Sequence, residues 1–323
     1  MTDPAPPPVI DDFTGPWAFL SNFHIGDVAF DGDTYPSAEA AFNAGKTLDP
    51  TERALVRDQP TPSKAKRIGR QVTLRDGWDE RVRFDVMTQV ITAKFTDPDL
   101  RSRLLGTADA LLIEGTTWHD DTWGDCRCAK HKAWPGQNRL GRILMAERAR
   151  IRQDAPDRWV RVAVTGHRPQ HMVPRQRDFA RAELDRLAVK LRDEHGTTTA
   201  ISGMALGADT WWAQSALRAG LDLWAYVPFS VQPVKWSREE QDVWRDLMTR
   251  ANRRVILAQE YDVRLLHTRN DLMLRDADVI VAVHDPDKST GGTASAVRKA
   301  AELGKTIISV NVAQGRTTIR RPG

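Results

Sequence analysis

Glu39 and Lys46 stand seven residues apart in a run that reads Tyr35-Pro36-Ser37-Ala38-Glu39, then Phe42-Asn43-Ala44-Gly45-Lys46. With Ser37 as its cap, the run predicts a helix over 39–46. Seven steps return the chain to the same stripe, roughly 10 Å further along the axis. Side chains lean toward the helix N-terminus, so the long Lys46 stem reaches back toward Glu39. An acid and an amine that converge in a cleft suit chemistry at an anomeric carbon: one protonates a leaving base, the other traps the sugar. Burial must lower the Lys46 pKa for that role, because a protonated amine has no lone pair to offer. An ion pair on an exposed helix face has the same spacing. A second scheme needs no amine, with Glu39 as acid and Asp120 as base toward water.

Three glycine turns in the second half follow apolar runs: Gly166-His167-Arg168, Ser202-Gly203-Met204 through Gly207 to Asp209, and Gly291-Gly292-Thr293. Such turns let a phosphate approach the backbone and present unpaired helix N–H groups to it. Arg168 is a candidate phosphate clamp, and Asn270 is placed to reach the same cleft. In the first half Cys126, Cys128 and His131 lie close in sequence to His119. They offer zinc ligands, but the spacing matches no standard finger. Free thiols are therefore expected, with a structural zinc as the alternative. No cofactor is required and no catalytic metal is indicated.

The elements that must position these groups fall into two sets. Apolar runs at 159–165, 198–202, 221–227, 254–257, 279–283 and 306–310 alternate with amphipathic stretches, which predicts an α/β Rossmann-like domain around a parallel sheet. Ligands of such sheets bind beyond the strand carboxyl ends. The first half reads as a mostly helical α+β domain, with helices over 39–46, 51–58, 63–70, 77–95 and 97–105 and strands near Val28 and Leu111. The expected division is a disordered tail at 1–11, a first domain at 12–150, a linker at 151–158, a second domain at 159–312 and a basic tail at 313–323.

Among 323 residues, 41% are hydrophobic and 28% charged, as in ordinary globular protein with core enough for two domains. The net charge is +4, and the excess of Lys and Arg lies in the second half. That bias admits anionic ligands but falls short of a nucleic-acid stripe. Two cysteines build no disulfide framework, no apolar run is long enough to span a membrane, and the Pro-rich start lacks the form of a signal peptide. A cytoplasmic protein without a membrane partner is expected.

Residues 12–150 resemble the NADAR (YbiA-like) family. The likeness rests on the opening Gly15 to Phe23, on Glu39 and Lys46, on Trp78, Met87 and Lys94-Phe95, and on 107–114, 120–124 and 136–145. It implies an N-glycosidase for ADP-ribose-like or ribosylated nitrogen heterocycles, such as ADP-ribosylated guanine in DNA or phosphoribosylated riboflavin intermediates. Carried over, Lys46 would hold the opened sugar as a Schiff base and Glu39 would move the proton. Asp120 completes the catalytic set. Trp78 and Trp123 would be stacking walls, Asn22 and Asn138 would bind ribose or phosphate, and Phe23 and Gly124 complete the substrate site. Ala40 stands where the family often has histidine.

Residues 159–312 resemble the YpsA/YspA-like branch of the SLOG superfamily, through 165–169, 202–214, 227–229, Trp236, Tyr261, 269–273 and 291–300. The likeness implies a nucleotide pocket. The Gly291 turn lacks the glutamate used by hydrolytic relatives, so binding is expected of this half. The expected partners are ADP-ribose or an NAD-derived nucleotide, ADP-ribosylated DNA, and a second copy of the chain through the C-terminal domain. A rival reading makes both halves a non-catalytic sensor of such nucleotides.

Overall fold

The computed structural model describes residues 7–131, 135–153, 157–288 and 290–322. They form two compact units, one of 7–131 and 136–153, the other of Pro135 and the residues from 157 on. Residues 154–156 of the expected linker and 1–6 of the expected tail lie outside the described residues.

In chain order the first unit contains β1 (Val9–Ile10), β2 (Ile25–Phe30), β3 (Asp33–Ser37), α1 (Ala38–Ala44), α2 (Pro50–Arg57), α3 (Pro62–Ile68), α4 (Arg83–Lys94), α5 (Pro98–Gly106), β4 (Leu111–Leu112), β5 (Gly115–Thr116), β6 (Asp125–Cys126) and α6 (Arg139–Arg152). Helices α2, α3 and α5 share one local logic: a capping residue followed by proline, whose missing N–H costs nothing in the first turn. Asp49 accepts from Thr51 N, Thr61 from Lys64 N and Asp97 from Leu100 N. Ser37 caps α1 through Ala40 N at 3.1 Å. The strands make three short pairs, β1 with β4, β2 with β3 and β5 with β6, so the unit is a mixed helix and strand fold.

Three expectations for this unit change. The expected linker starts too early, because Ile151 and Arg152 still belong to α6 and apolar Ile151 is buried there. Helix α1 stops at Ala44, where a side chain at Gly45 would press on Val86, so Lys46 stands past the helix end. The expected tail 1–11 is partly built in: Ile10 is buried and β1 pairs with β4, because Val9-Ile10 is apolar enough to close the edge of the core.

The second unit contains β7 (Arg161–Gly166), α7 (Pro174–His195), β8 (Thr199–Ser202), α8 (Ala208–Arg218), β9 (Asp222–Phe229), α9 (Arg238–Arg250), β10 (Arg253–Ala258), α10 (Val263–Asp276), β11 (Val279–His284), α11 (Gly292–Glu302), β12 (Thr306–Asn311) and β13 (Arg316–Arg320). The sheet runs β10-β9-β8-β7-β11-β12-β13, parallel except for β13. Its central strands are buried on both faces, as a parallel sheet covered by helices requires. Strand β13 builds Arg316–Arg320 of the expected basic tail into the sheet. Asn311 Oδ1 accepts from Ala313 N and Gln314 N, turning the chain back so that β-branched Thr317, Thr318 and Ile319 pair with β12. Among the described residues no helix is long and apolar enough to cross a membrane.

Candidate active site

A cavity of about 600 Å³ opens in the first unit, lined among others by Asn22, Phe23, Glu39, Phe42, Asn43, Lys46, Lys66, Arg70, Glu114, Asp120 and Trp123. Its acid, Glu39, sits in the first turn of α1 and is buried. Burial raises the Glu39 pKa against the lowering pull of Lys66, the Asn43 hydrogen bond and Lys46. Asn43 Nδ2 donates to Glu39 Oε1 at 3.0 Å, and Lys66 Nζ lies 3.7 Å from the same oxygen. Among the described residues the ion pair of Glu39 is with Lys66, not Lys46.

Lys46 Nζ donates to the Gly69 carbonyl at 3.0 Å and sits 5.9 Å from the Phe42 ring centre. Burial lowers its pKa, with Glu39 opposing. Gly69 fits because it has no side chain: a Cβ there would fall 2.3 Å from Asn43 Oδ1. The turn that ends α3 thereby holds both the amine and the asparagine that steadies the acid.

A second acid, Glu114, borders the cavity, its pKa pushed up to about 7 by burial and by the Asp120 and Glu39 carboxylates. Lys94, buried behind it, donates to Ser21 O at 2.7 Å and is brought down to about 7 by burial. Asn22 Oδ1 and Asn43 Oδ1 are buried acceptors with no partner among the described residues. Both asparagines line the cavity, but these two oxygens have no accessible surface toward it.

The second unit holds a cavity of about 570 Å³ beyond the carboxyl ends of β7 and β11. Gly166, His167, Arg168, Asp209, Arg269, Asn270, Gly291, Gly292 and Thr293 line it. Asp209 is buried; burial raises its pKa, while Arg269, the Ala205 and Gly203 amides and Arg168 lower it. Arg269 donates through Nη1 to Gly203 O and through Nε to Asn270 Oδ1 at 2.8 Å.

Residues 12–152 match the family model of the NADAR domain, and residues 162–312 match that of the YspA SLOG family. The N-glycosidase YbiA of Escherichia coli (strain K12) is 40% identical over 135 residues, covering 41% of this chain and 80% of the relative. This chain belongs to the NADAR family. Its second half is a YspA-type SLOG domain. The N-glycosidase Npun_R5314 of Nostoc punctiforme is 34% identical over 143 residues, 42% of this chain and 87% of that protein. The NMR structure of E. coli YbiA covers 46% of this chain and 87% of its own, with 35% identity and a TM-score of 0.40.

In the NADAR domain the fold gathers Glu39, Lys46, Asp120, Asn22, Phe23 and Trp123 around one cavity. Trp78, Gly124 and Asn138 are placed elsewhere. Trp78 is buried 5.3 Å from the Phe42 ring, so it backs a cavity wall without forming one. Asn138 spends both ends of its amide on backbone, donating to Leu112 O at 2.8 Å and accepting from Glu114 N at 3.0 Å. Gly124 O accepts from Asn138 N, so this pair ties β4 and β5 to the start of α6. Asp120 Oδ1 accepts from Thr122 N and Trp123 N, which folds the turn that presents Trp123.

In the SLOG domain Ser202, Gly203, Met204 and Gly207 lie outside the cavity lining. The close approach that Gly203 permits is taken by the Arg269 guanidinium, since a Cβ there would sit 1.9 Å from Nη1. Ser202 Oγ donates to Asp209 O and accepts from Met204 N, closing the turn internally.

The residues missed by sequence reasoning are Asn43, Lys66, Arg70 and Glu114 at the first cavity and Arg269 at the second. The one available signal was the basic density of Ser63 to Arg70, opposite no acid of its own helix.

Proposed function

We propose that the NADAR domain is an N-glycosidase that cleaves the bond between the ribose of an ADP-ribose-type nucleotide and a nucleobase nitrogen such as that of guanine. The observation that carries this reading is the pair Glu39 and Lys46 in one cavity, with burial pushing the acid up and the amine down. Those are the directions a proton donor and a nucleophile need near neutral pH. The N-glycosidase names of the relatives support the reaction class.

In the proposed reaction Glu39 protonates the departing base as the bond from C1′ to nitrogen breaks, and the bonding electrons leave with the base. Neutral Lys46 forms a new bond to C1′ and returns its proton to the Glu39 carboxylate. Glu39 then gives that proton to O4′ as the C1′–O4′ bond breaks, which leaves an iminium between Lys46 and C1′. Water adds to that carbon and gives one proton to the Glu39 carboxylate. The remaining O–H proton passes to nitrogen as the bond from C1′ to Lys46 breaks, so ribose leaves with its aldehyde, Lys46 is a neutral amine again and Glu39 is again the acid. Phe42 and Trp123 offer apolar faces for a base. Lys66 and Arg70 at the cavity suit phosphate. A cavity of about 600 Å³ is within the range that encloses small ligands.

In the SLOG domain the reading is binding of a related nucleotide, because Asp209, the acid that lines its cavity among the described residues, is surrounded by cations and amides.

The test is incubation with an oligonucleotide carrying ADP-ribosylated guanine, in parallel with small ribosylated heterocycles, followed by mass spectrometry. Release of ADP-ribose that disappears in Lys46→Ala supports the proposal. Release from small molecules alone moves the substrate to metabolites, and binding without turnover favours the sensor.

A further inference from the structure

We propose that His119, Cys126, Cys128 and His131 form a structural zinc site in the NADAR domain. The four ligand atoms lie within 4.8 Å of one another. His119 Nδ1 is 3.3 Å from His131 Nδ1 and 3.3 Å from Cys128 Sγ, and Cys128 Sγ is 3.6 Å from His131 Nδ1. Zinc holds nitrogen at about 2.0–2.1 Å and thiolate sulfur at about 2.3 Å, so the edges of its tetrahedron run about 3.3 Å between nitrogens and about 3.5–3.8 Å where sulfur takes part. The three measured separations fall on or near these edges.

Chemistry favours a cation over a neutral cluster. Two imidazole nitrogens and a sulfur face one point, which is a donor set that zinc takes. Two thiolates and two neutral imidazoles balance a divalent ion, and ligation releases the two thiol protons. Nearby charges agree: Asp121 Oδ2 is 3.5 Å from His131 Nδ1, and Asp121 Oδ1 is buried without a partner among the described residues. That nitrogen is the ligand atom itself, so the carboxylate adds negative charge beside the ion and does not hold the ring from its far side. Arg127, between the cysteines, is turned to Asp11 at 2.9 Å.

The fold explains why the unusual sequence spacing works. Pairing of β5 with β6, and Arg127 N donating to Thr116 O at 2.8 Å, bring the chain after Thr116 back beside Cys126. His131 N donates to Cys128 O, a turn that carries its ring onto the same point. Between ligands 119 and 126 lie Asp120 and Trp123, both cavity-lining. The metal would therefore brace one wall of the cavity from behind without touching substrate. The proposal is independent of what the cavity cleaves.

The experiment uses the full chain, purified without a histidine tag in a reducing buffer. Metal analysis is expected to find about one zinc per chain. Cobalt(II) exchanged into the site is expected to give the visible bands of a tetrahedral ion and a sulfur-to-cobalt charge-transfer band. Because Cys126 is buried, its replacement risks the fold, so the more accessible His119→Ala and Cys128→Ser decide. Each is expected to hold at least tenfold less zinc in competition with a chromophoric chelator, with the circular dichroism retained, while His24→Ala keeps the full amount. Wild type that contains no zinc, takes up none from zinc chloride against the chelator and shows two freely titrating thiols would overturn the proposal, as would a Cys126–Cys128 disulfide in the reduced preparation.

Discussion

The two cavities are nearly equal in volume, about 600 Å³ and about 570 Å³, and each holds a buried acid near a cation, yet they are built for different work. In the NADAR domain Glu39 keeps one carboxylate oxygen for Asn43 and Lys66, and Lys46 is tied to a carbonyl rather than to the acid. A proton can come and go. In the SLOG domain Asp209 is held by backbone amides amid Arg269 and Arg168, and Arg269 is itself locked to Gly203 and Asn270. That acid organises a turn. Burial alone does not make a catalytic group; what matters is whether the neighbours leave its proton exchangeable.

The largest effects should break this contrast from the first side. Lys46→Ala is expected to lower turnover by about 10³-fold or more, and Glu39→Gln by about 10²–10⁴-fold, with nucleotide binding in the second unit unchanged. Turnover assays and calorimetric titration read the two separately. From the other side, Gly203→Ala drives a methyl into the Arg269 guanidinium. Binding in the second cavity should weaken at least tenfold while turnover in the first is retained; equal loss of both would erase the distinction between the units.

The pH profile sharpens the contrast further. Since burial raises Glu39 and lowers Lys46, kcat/KM is expected to be bell-shaped, with limbs that belong to the pair. Glu39→Gln should remove one limb. Glu114 gives a stability test with a fixed sign. Its folded pKa of about 7 exceeds the ordinary 4.5, so its contribution is full below the unfolded value and is lost as pH rises through about 7. Glu114→Gln should therefore raise Tm at pH 8 and leave it unchanged at pH 4. The gain is on the order of 1 kcal/mol, because Lys94 loses a partner at the same time. The smallest effect separates two tryptophans: Trp123→Ala should raise KM about tenfold, whereas Trp78→Phe should lower Tm by a few degrees with KM unchanged.

What was legible in the sequence was local. Six strands of the second unit appear where their apolar runs stand, and α2, α3 and α5 begin at cap-and-proline pairs. Strand β13 was hidden because Ile319 is its one large apolar side chain and its order comes from pairing with β12. The seven-residue spacing was enough to place Glu39 and Lys46 at one cavity, but it put Lys46 inside the helix and paired it with the acid. The true partner, Lys66, comes from a different helix, and no spacing rule links the two. Asn138 and Ser202 resembled ligands for a simple reason. A polar side chain that bonds to buried backbone is spelled the same way as one that bonds to substrate.

The most direct test of the account is reductive trapping. Full-length protein is incubated with ADP-ribosylated guanine oligonucleotide in the presence of borohydride, and its peptides are mapped by mass spectrometry. The account predicts a stable ADP-ribosyl adduct on Lys46, absent in Lys46→Ala and sharply reduced in Glu39→Gln. Turnover without any adduct at Lys46, undiminished in Lys46→Ala, would contradict it and leave the reaction to the carboxylates alone.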